Sequence, residues 1–259
     1  MKQINCWFIL LGMILVLAAC KTQPIVTHKK TKNLSQAAHL NVQLGIAYLR
    51  QGDNIRSKQK LLLAEQQAPS VETERALAYF YAQTGDLSQA DQYYQKALSR
   101  APHDAATHNN YGVFLCRQKH YQLAEQQFLL AINNKHYVNS ADAYENAGLC
   151  ALLIPNYTKA QAYFEAALQQ NPNLLVSLQQ LIRLNYQQQQ YQQANVYLQR
   201  YIKIGQITPN ILWLGVQTAQ KLNDEADLQR YGALLEKHFP ASVQFAQYQK
   251  LMQVQSNDR

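Results

Sequence analysis

The fold of this chain is decided by residues 77–102, which read LAYFYAQTGDLSQADQYYQKALSRAP. Small and apolar residues recur at helical spacing on both sides of Gly85 and Asp86, where the chain must reverse, and Pro102 ends the segment. Similar segments recur about every 34 positions over residues 41–240. One helix pair cannot bury its apolar face alone, so we expect successive pairs to stack into an all-α solenoid.

A second regularity is the size of the residues that face each other within a pair. The first helices carry a small residue, at Gly45, Ala78, Gly112 and Gly148. The second helices carry a bulky one, at Tyr94, Phe128 and Phe164. Glycine inside a helix costs about 1 kcal/mol relative to alanine, so its recurrence indicates that the two helices approach closely. With the period, this is the tetratricopeptide pattern, and it predicts a right-handed solenoid of about six helix-turn-helix repeats over residues 38–241.

The start of the chain has the features of an export signal. Lys2 precedes a mostly apolar stretch that is too short for a stable membrane span. The stretch ends in Leu17-Ala18-Ala19-Cys20, which looks like a bacterial lipobox. We therefore predict a lipoprotein signal peptide over residues 1–19 and Cys20 as the first residue of the mature protein.

Lipidation of Cys20 would anchor the protein to a membrane. Each acyl chain, palmitate among them, contributes about 0.8 kcal/mol per buried methylene, so several chains hold a protein almost permanently. Position 21 is lysine rather than the aspartate that retains many lipoproteins in the inner membrane. This points to the outer membrane, with the protein facing the periplasm.

The two ends of the solenoid are predicted to differ. Residues 20–37 comprise the lipidated cysteine and a flexible tether, because Pro24 and several lysines stand there without apolar periodicity. Those lysines could contact anionic headgroups, or simply keep a linker solvated. Residues 242–259 are predicted to form a C-terminal capping helix or tail.

The charge of the chain argues against nucleic acid as a partner. The formal net charge is +8, but the basic residues are spread along the sequence. No predicted helix has the basic stripe of a surface that follows phosphates, and export removes the protein from the cytoplasm.

Cys116 and Cys150 are the free thiols that remain after processing, and they lie 34 residues apart in the first helices of consecutive repeats. The periplasm is oxidising, so this spacing favours a disulfide that clamps repeats three and four. The alternative is two small buried hydrophobic residues that never meet.

Motifs of catalysis and cofactor binding are absent from the sequence. We find no G-x-S-x-G, H-E-x-x-H, C-x-x-C or glycine-rich phosphate loop, and the seven histidines are scattered. The sequence therefore predicts no enzyme, no metal or other cofactor and no small-molecule substrate.

A concave groove lined by the first helices is the predicted site of function. From the repeat phase, the residues expected to face it are Val42, Ile46, Leu49, Arg75, Tyr79, Asn109, Val113, Glu145, Leu149, Leu152, Arg183 and Tyr186. Such an apolar groove with a few polar groups suits an amphipathic helix or an extended apolar peptide rather than a free acidic tail. Alternatively, the tether or a neighbouring molecule fills part of it.

Four segments are more specific than the repeat pattern. Residues 110–116 read NYGVFLC, residues 144–150 read YENAGLC, residues 212–215 read LWLG and residues 239–242 read FPAS. With the lipobox and six repeats, the chain resembles the type IV pilus biogenesis and stability lipoproteins, the PilF or PilW family. The resemblance extends over almost the whole mature chain.

Members of that family act as pilotins. The resemblance therefore implies a protein that binds the outer-membrane secretin, brings it to the outer membrane through its own lipid and promotes its assembly into the pore for the pilus, on which twitching motility depends. It also implies Cys20 as the lipid site and Cys116 with Cys150 as a matched pair. The main alternative is a lipid-anchored periplasmic tetratricopeptide scaffold that docks cell-wall enzymes.

Overall fold

A computed structural model of the protein describes residues 25–205 and 207–257, and this part of the chain forms thirteen helices. The first helices of six pairs are α1 (Ile25–Arg50), α3 (Val71–Thr84), α5 (Ala105–Arg117), α7 (Ser140–Leu152), α9 (Leu175–Gln187) and α11 (Pro209–Leu222). The second helices are α2 (Asn54–Gln67), α4 (Leu87–Arg100), α6 (Tyr121–Ile132), α8 (Tyr157–Gln170), α10 (Tyr191–Lys203) and α12 (Glu225–His238). A last helix, α13 (Val243–Asn257), packs against α11 and α12. The prediction of an all-α solenoid of six helix pairs is confirmed.

The start of α1 corrects the predicted tether. The sequence places a flexible segment up to residue 37, whereas the helix already begins at Ile25. Residues 25–44 contain neither glycine nor proline, so no residue breaks the helix before the solenoid begins. Residues 1–19, Cys20 and the first residues of the predicted tether lie outside the described residues.

Close approach of the two helices of a pair explains the recurring small residues. A Cβ atom built on Gly45 would lie 2.6 Å from Leu61, one on Gly112 2.7 Å from Phe128, and one on Gly148 2.8 Å from Phe164. Atoms cannot approach this closely, so any larger residue would push the helices apart. In repeat two, the fully buried Ala78 takes the same position opposite the second-helix Tyr94.

The turns inside the repeats follow from local chemistry. Gly52 and Gly85 have φ angles of 79° and 91°, a left-handed conformation that costs a glycine little. The next residue in each case, Asp53 or Asp86, caps the second helix by accepting a hydrogen bond from a main-chain N–H of its first turn. This geometry reverses the chain and stacks the two helices antiparallel.

The buried side chains form two large clusters that meet in α7. The first cluster fills repeats one to three and includes Ala147 and Cys150 of α7. The second begins at Ala151 and continues through α12. The solenoid therefore has a first and a second half, and α7 contributes to the core of both.

Candidate partner-binding groove

One position of the first helices decides the character of the groove. It is occupied in successive repeats by Ile46, Tyr79, Val113, Leu149, Arg183 and Gln217, which lie 33 to 36 residues apart. In stacked repeats, equivalent positions of the first helices line one concave surface. This surface, which we call the groove column, is apolar through four repeats and polar in the last two.

The cleft between α3 and α5 represents the apolar part of the column. It has a volume of about 100 Å³, and Tyr79, Val113 and Phe114 are among its lining residues. The ring of Tyr94 closes it from beneath, with its centroid 5.5 Å from that of Phe114. Burial raises the pKa of Tyr94, so this floor of the cleft stays uncharged.

Four more predicted apolar residues contribute mainly to packing. Ile46 and Leu49 are partly buried against the first core cluster, and Leu149 and Leu152 against the second. Val42 is only 7% exposed and belongs to the first core itself. The prediction of Val42 as a groove residue is therefore wrong, because its side chain lies between α1 and the neighbouring helices.

Three predicted polar groove residues instead tie neighbouring first helices together. Arg75 donates to Asp104 at 2.7 Å, and Asn109 accepts from Asn146 at 3.0 Å. Glu145 accepts from the hydroxyl and the main-chain N–H of Ser177, at 2.7 and 3.0 Å. We call these contacts the polar ladder.

The polar ladder corrects the predicted role of its members. Asn109 is only 7% exposed, and the charged groups of Arg75 and Glu145 are hydrogen-bonded to residues of the next repeat. Burial alone would raise the pKa of Asp104, but hydrogen bonds from Thr107 and the charge of Arg75 outweigh it and hold that pKa below its ordinary value. Arg75, Asn109 and Glu145 therefore set the stacking of repeats rather than offer free groups to a partner.

The cleft between α9 and α11 represents the polar part of the column. It has a volume of about 450 Å³ and is lined by Gln179, Arg183, Tyr186, Gln187, Asn210, Ile211, Leu214 and Gln217. Arg183 and Tyr186 are predicted groove residues and are found here. The sequence analysis missed Gln179, Asn210 and Gln217, although their repeat phase could have revealed them.

A disulfide joins Cys116 and Cys150 in this structure, with Cα atoms 6.0 Å apart. The bond connects α5 to α7, which are first helices of neighbouring repeats. It therefore ties repeats three and four together at the boundary between the two core clusters.

No helix among residues 25–205 and 207–257 is long and apolar enough to cross a bilayer. In the same part of the chain, no group of three or more histidine, cysteine, aspartate or glutamate side chains could hold a metal ion.

Comparison with known proteins first defines the class. Sequence profiles described as tetratricopeptide repeat match residues 76–104, 93–126 and 141–174. Together with six stacked helix pairs and a groove formed by their first helices, these matches define a tetratricopeptide-repeat solenoid protein.

The particular family follows from individual relatives. The chain is 30% identical over 222 residues to the type IV pilus assembly protein PilF of Pseudomonas aeruginosa, covering 85% of this chain and 88% of PilF. The solved structure of P. aeruginosa PilF has a TM-score of 0.70 at 30% identity, covering 84% of this chain and 99% of that one. The structure of PilW, described as a widely conserved type IV pilus biogenesis factor, has a TM-score of 0.66 at 25% identity, covering 82% and 98%. The chain belongs to the PilF/PilW family of type IV pilus tetratricopeptide proteins.

Proposed function

We propose that this protein is an outer-membrane lipoprotein pilotin. In this role it binds subunits of the type IV pilus secretin in its groove, carries them to the outer membrane and promotes their assembly into the pore. The observation that carries the proposal is the 30% identity to PilF over 85% of the chain.

The apolar part of the groove supports binding of an unassembled secretin subunit. A secretin subunit that has not yet assembled exposes apolar surface, and the apolar part of the groove column offers a complementary face. Tyr79 is 37% exposed there, although it is a large aromatic side chain. Repeats that are held together by the polar ladder and the disulfide keep this face rigid, which lowers the entropic cost of binding.

The lipid anchor would localise the protein to the outer membrane. Cys20 follows a lipobox-like sequence, and Lys21 is not the residue that retains lipoproteins in the inner membrane. A groove that holds the subunit and acyl chains that insert into the outer membrane would together bring the secretin to its site of assembly. No chemical step is required of the protein.

The test is the state of the secretin in cells that express the wild type or Cys20→Ala at matched levels. Outer-membrane fractions are run on semi-denaturing gels and blotted for the secretin. We expect a heat-resistant multimer with the wild type, and monomer or mislocalised multimer with Cys20→Ala. Cys6→Ala is the matched control, because it removes a thiol that leaves with the predicted signal peptide.

The opposite result would favour the alternative function. An unchanged secretin multimer with Cys20→Ala and also in a deletion strain contradicts the pilotin role. A deletion strain with altered cell shape or septation and normal pili would then favour the scaffold that docks cell-wall enzymes.

A further inference from the structure

The polar ladder stops at the step from α9 to α11. Thr107 and Ser177 are equivalent positions of the repeat. Thr107 accepts a hydrogen bond from Arg75 of α3, and Ser177 donates one to Glu145 of α7. The same position on α11 is Ile211, which cannot form a hydrogen bond through its side chain. In the described part of the chain, no side-chain hydrogen bond or ion pair joins α9 to α11.

The loss of this rung leaves polar groups free in the cleft. Gln179 occupies the ladder position of Arg75, Asn109 and Glu145, but it has no partner among the described residues. Arg183 and Gln217 likewise have no hydrogen-bond or ion-pair partner there, and all three line the cleft.

The charge of the cleft is positive and uncompensated. Helices α9 and α11 contain neither aspartate nor glutamate, and no carboxylate lines the cleft. Arg183 is exposed, in contrast to Arg75, which is held by Asp104. An arginine without a counter-charge in a concave site favours a ligand with a carboxylate, which it can bind through two parallel hydrogen bonds.

We propose that the cleft between α9 and α11 binds an extended acidic peptide segment through Arg183 and the amides of Gln179 and Gln217. The inference rests on the proposed function, in which that segment belongs to the pilus secretin. Arg183 pairs with a side-chain carboxylate of the segment. Each glutamine offers both a donor and an acceptor, which matches the alternating N–H and C=O groups of an extended main chain.

The dimensions of the cleft agree with this occupant. Its volume of about 450 Å³ lies within the range of roughly 300 to 1,000 Å³ that is typical of ligand sites. Leu214 and Ile211 add apolar floor beside the polar groups. An acidic segment that also carries a small apolar side chain would fill both parts.

The test uses the full mature chain in detergent and an array of overlapping peptides that covers the periplasmic part of the cell's own pilus secretin. We expect the wild type to bind one or more consecutive acidic peptides, and Arg183→Gln to bind them about tenfold more weakly. Lys203→Gln is the matched control, since it removes an equal charge from an exposed position on α10. Replacement of the acidic residue in the peptide by its amide should cause the same loss.

A charge exchange sharpens the result. Arg183→Glu should abolish binding of the acidic peptide, and a peptide with lysine in place of its acidic residue should restore it. Equal binding by the wild type and Arg183→Gln would overturn the inference.

The two proposals fail in distinguishable ways. Co-purification of intact secretin with the wild type and Arg183→Gln alike, with no acidic peptide bound, would overturn the inference and leave the pilotin role standing. Absence of the secretin both from the array and from the co-purified proteins would overturn both.

Discussion

The two clefts of the groove occupy equivalent places in the repeat and differ in chemistry. Between α3 and α5, the cleft is small, three aromatic rings are part of its lining, and Arg75 is bound to Asp104 nearby. Between α9 and α11, it is about four times larger, and Arg183 is free of any ion pair in the described part of the chain. Packing within a helix pair requires a small residue opposite a large one. It sets no such requirement on the residues of the groove column, which can therefore differ between repeats.

The comparison also separates two uses of a polar residue. Where a first helix meets a polar neighbour, as Glu145 meets Ser177, the side chain fastens one repeat to the next. Where it meets Ile211, the side chain remains available to a partner. Equivalent positions of the repeat therefore serve stacking at one step and offer a candidate binding site at another.

The largest effect is expected from the core, where the two halves should behave alike. Phe128→Ala and Phe164→Ala each remove a ring that is at most 1% exposed and packs against a glycine. Each should lower the free energy of unfolding by about 3 to 5 kcal/mol. Urea denaturation followed by circular dichroism measures this, and a loss below about 1 kcal/mol in either half would contradict equal packing.

The disulfide is expected to matter next, because it joins the halves. Replacing both Cys116 and Cys150 by alanine should cost about 3 to 4 kcal/mol, the chain-entropy value for a loop of this length. Wild-type protein in reductant should unfold at the same denaturant concentration as the double variant. A midpoint that reductant leaves unchanged would show that the bond does not stabilise the junction.

The polar ladder should have a smaller effect that depends on pH. Asp104→Asn keeps the helix cap but removes the charge that faces Arg75, so we expect a loss of about 0.5 to 1 kcal/mol at pH 7. Since the folded-state pKa of Asp104 lies below its ordinary 3.8, this stabilisation is present above pH 3.8 and is lost as the pH falls through the folded value. The difference from wild type should therefore shrink toward pH 2, measured by thermal unfolding.

A control separates this effect from general acid destabilisation. Asp142→Asn removes a charge from an exposed position in the first turn of α7. The loss measured for this variant at each pH is subtracted from that of Asp104→Asn, and the remainder reports the contact between Asp104 and Arg75. An Asp104→Asn penalty that persists unchanged at low pH would contradict the proposed charge interaction with Arg75.

The smallest effect on stability is expected in the polar cleft. Arg183→Gln should change the free energy of unfolding by less than about 0.5 kcal/mol, because this exposed side chain makes no hydrogen bond or ion pair with the described residues. Arg75→Gln, the same substitution in the ladder, should cost about 1 kcal/mol. Parallel thermal unfolding compares them, and equal losses would remove the distinction between a stacking arginine and a binding arginine.

Sequence periodicity was sufficient for the repeats because their contacts lie inside one helix pair. Gly112 and Phe128 are close in the sequence, and their sizes show that they face each other. The polar ladder depends instead on which residue of the next repeat stands opposite, as with Asn109 and Asn146, which are 37 positions apart. The phase of a single repeat does not show that residue, so the phase alone suggested a groove.

The helical start at Ile25 was missed for a different reason. The predicted tether rested on Pro24 and on lysines before residue 33 that have no apolar periodicity. A helix that extends beyond its partners needs no apolar stripe, only the absence of residues that break it.

The most direct test of the central claim, that the groove holds the secretin, is photocrosslinking in living cells. A photoreactive residue is placed at Val113 in the apolar cleft, at Gln217 in the polar cleft, or at Lys203 on α10 as a control. We predict that blots show a crosslink to the pilus secretin from Val113 and Gln217 and none from Lys203. Crosslinks from both groove positions to a different protein, or a secretin crosslink from Lys203 alone, would contradict the account.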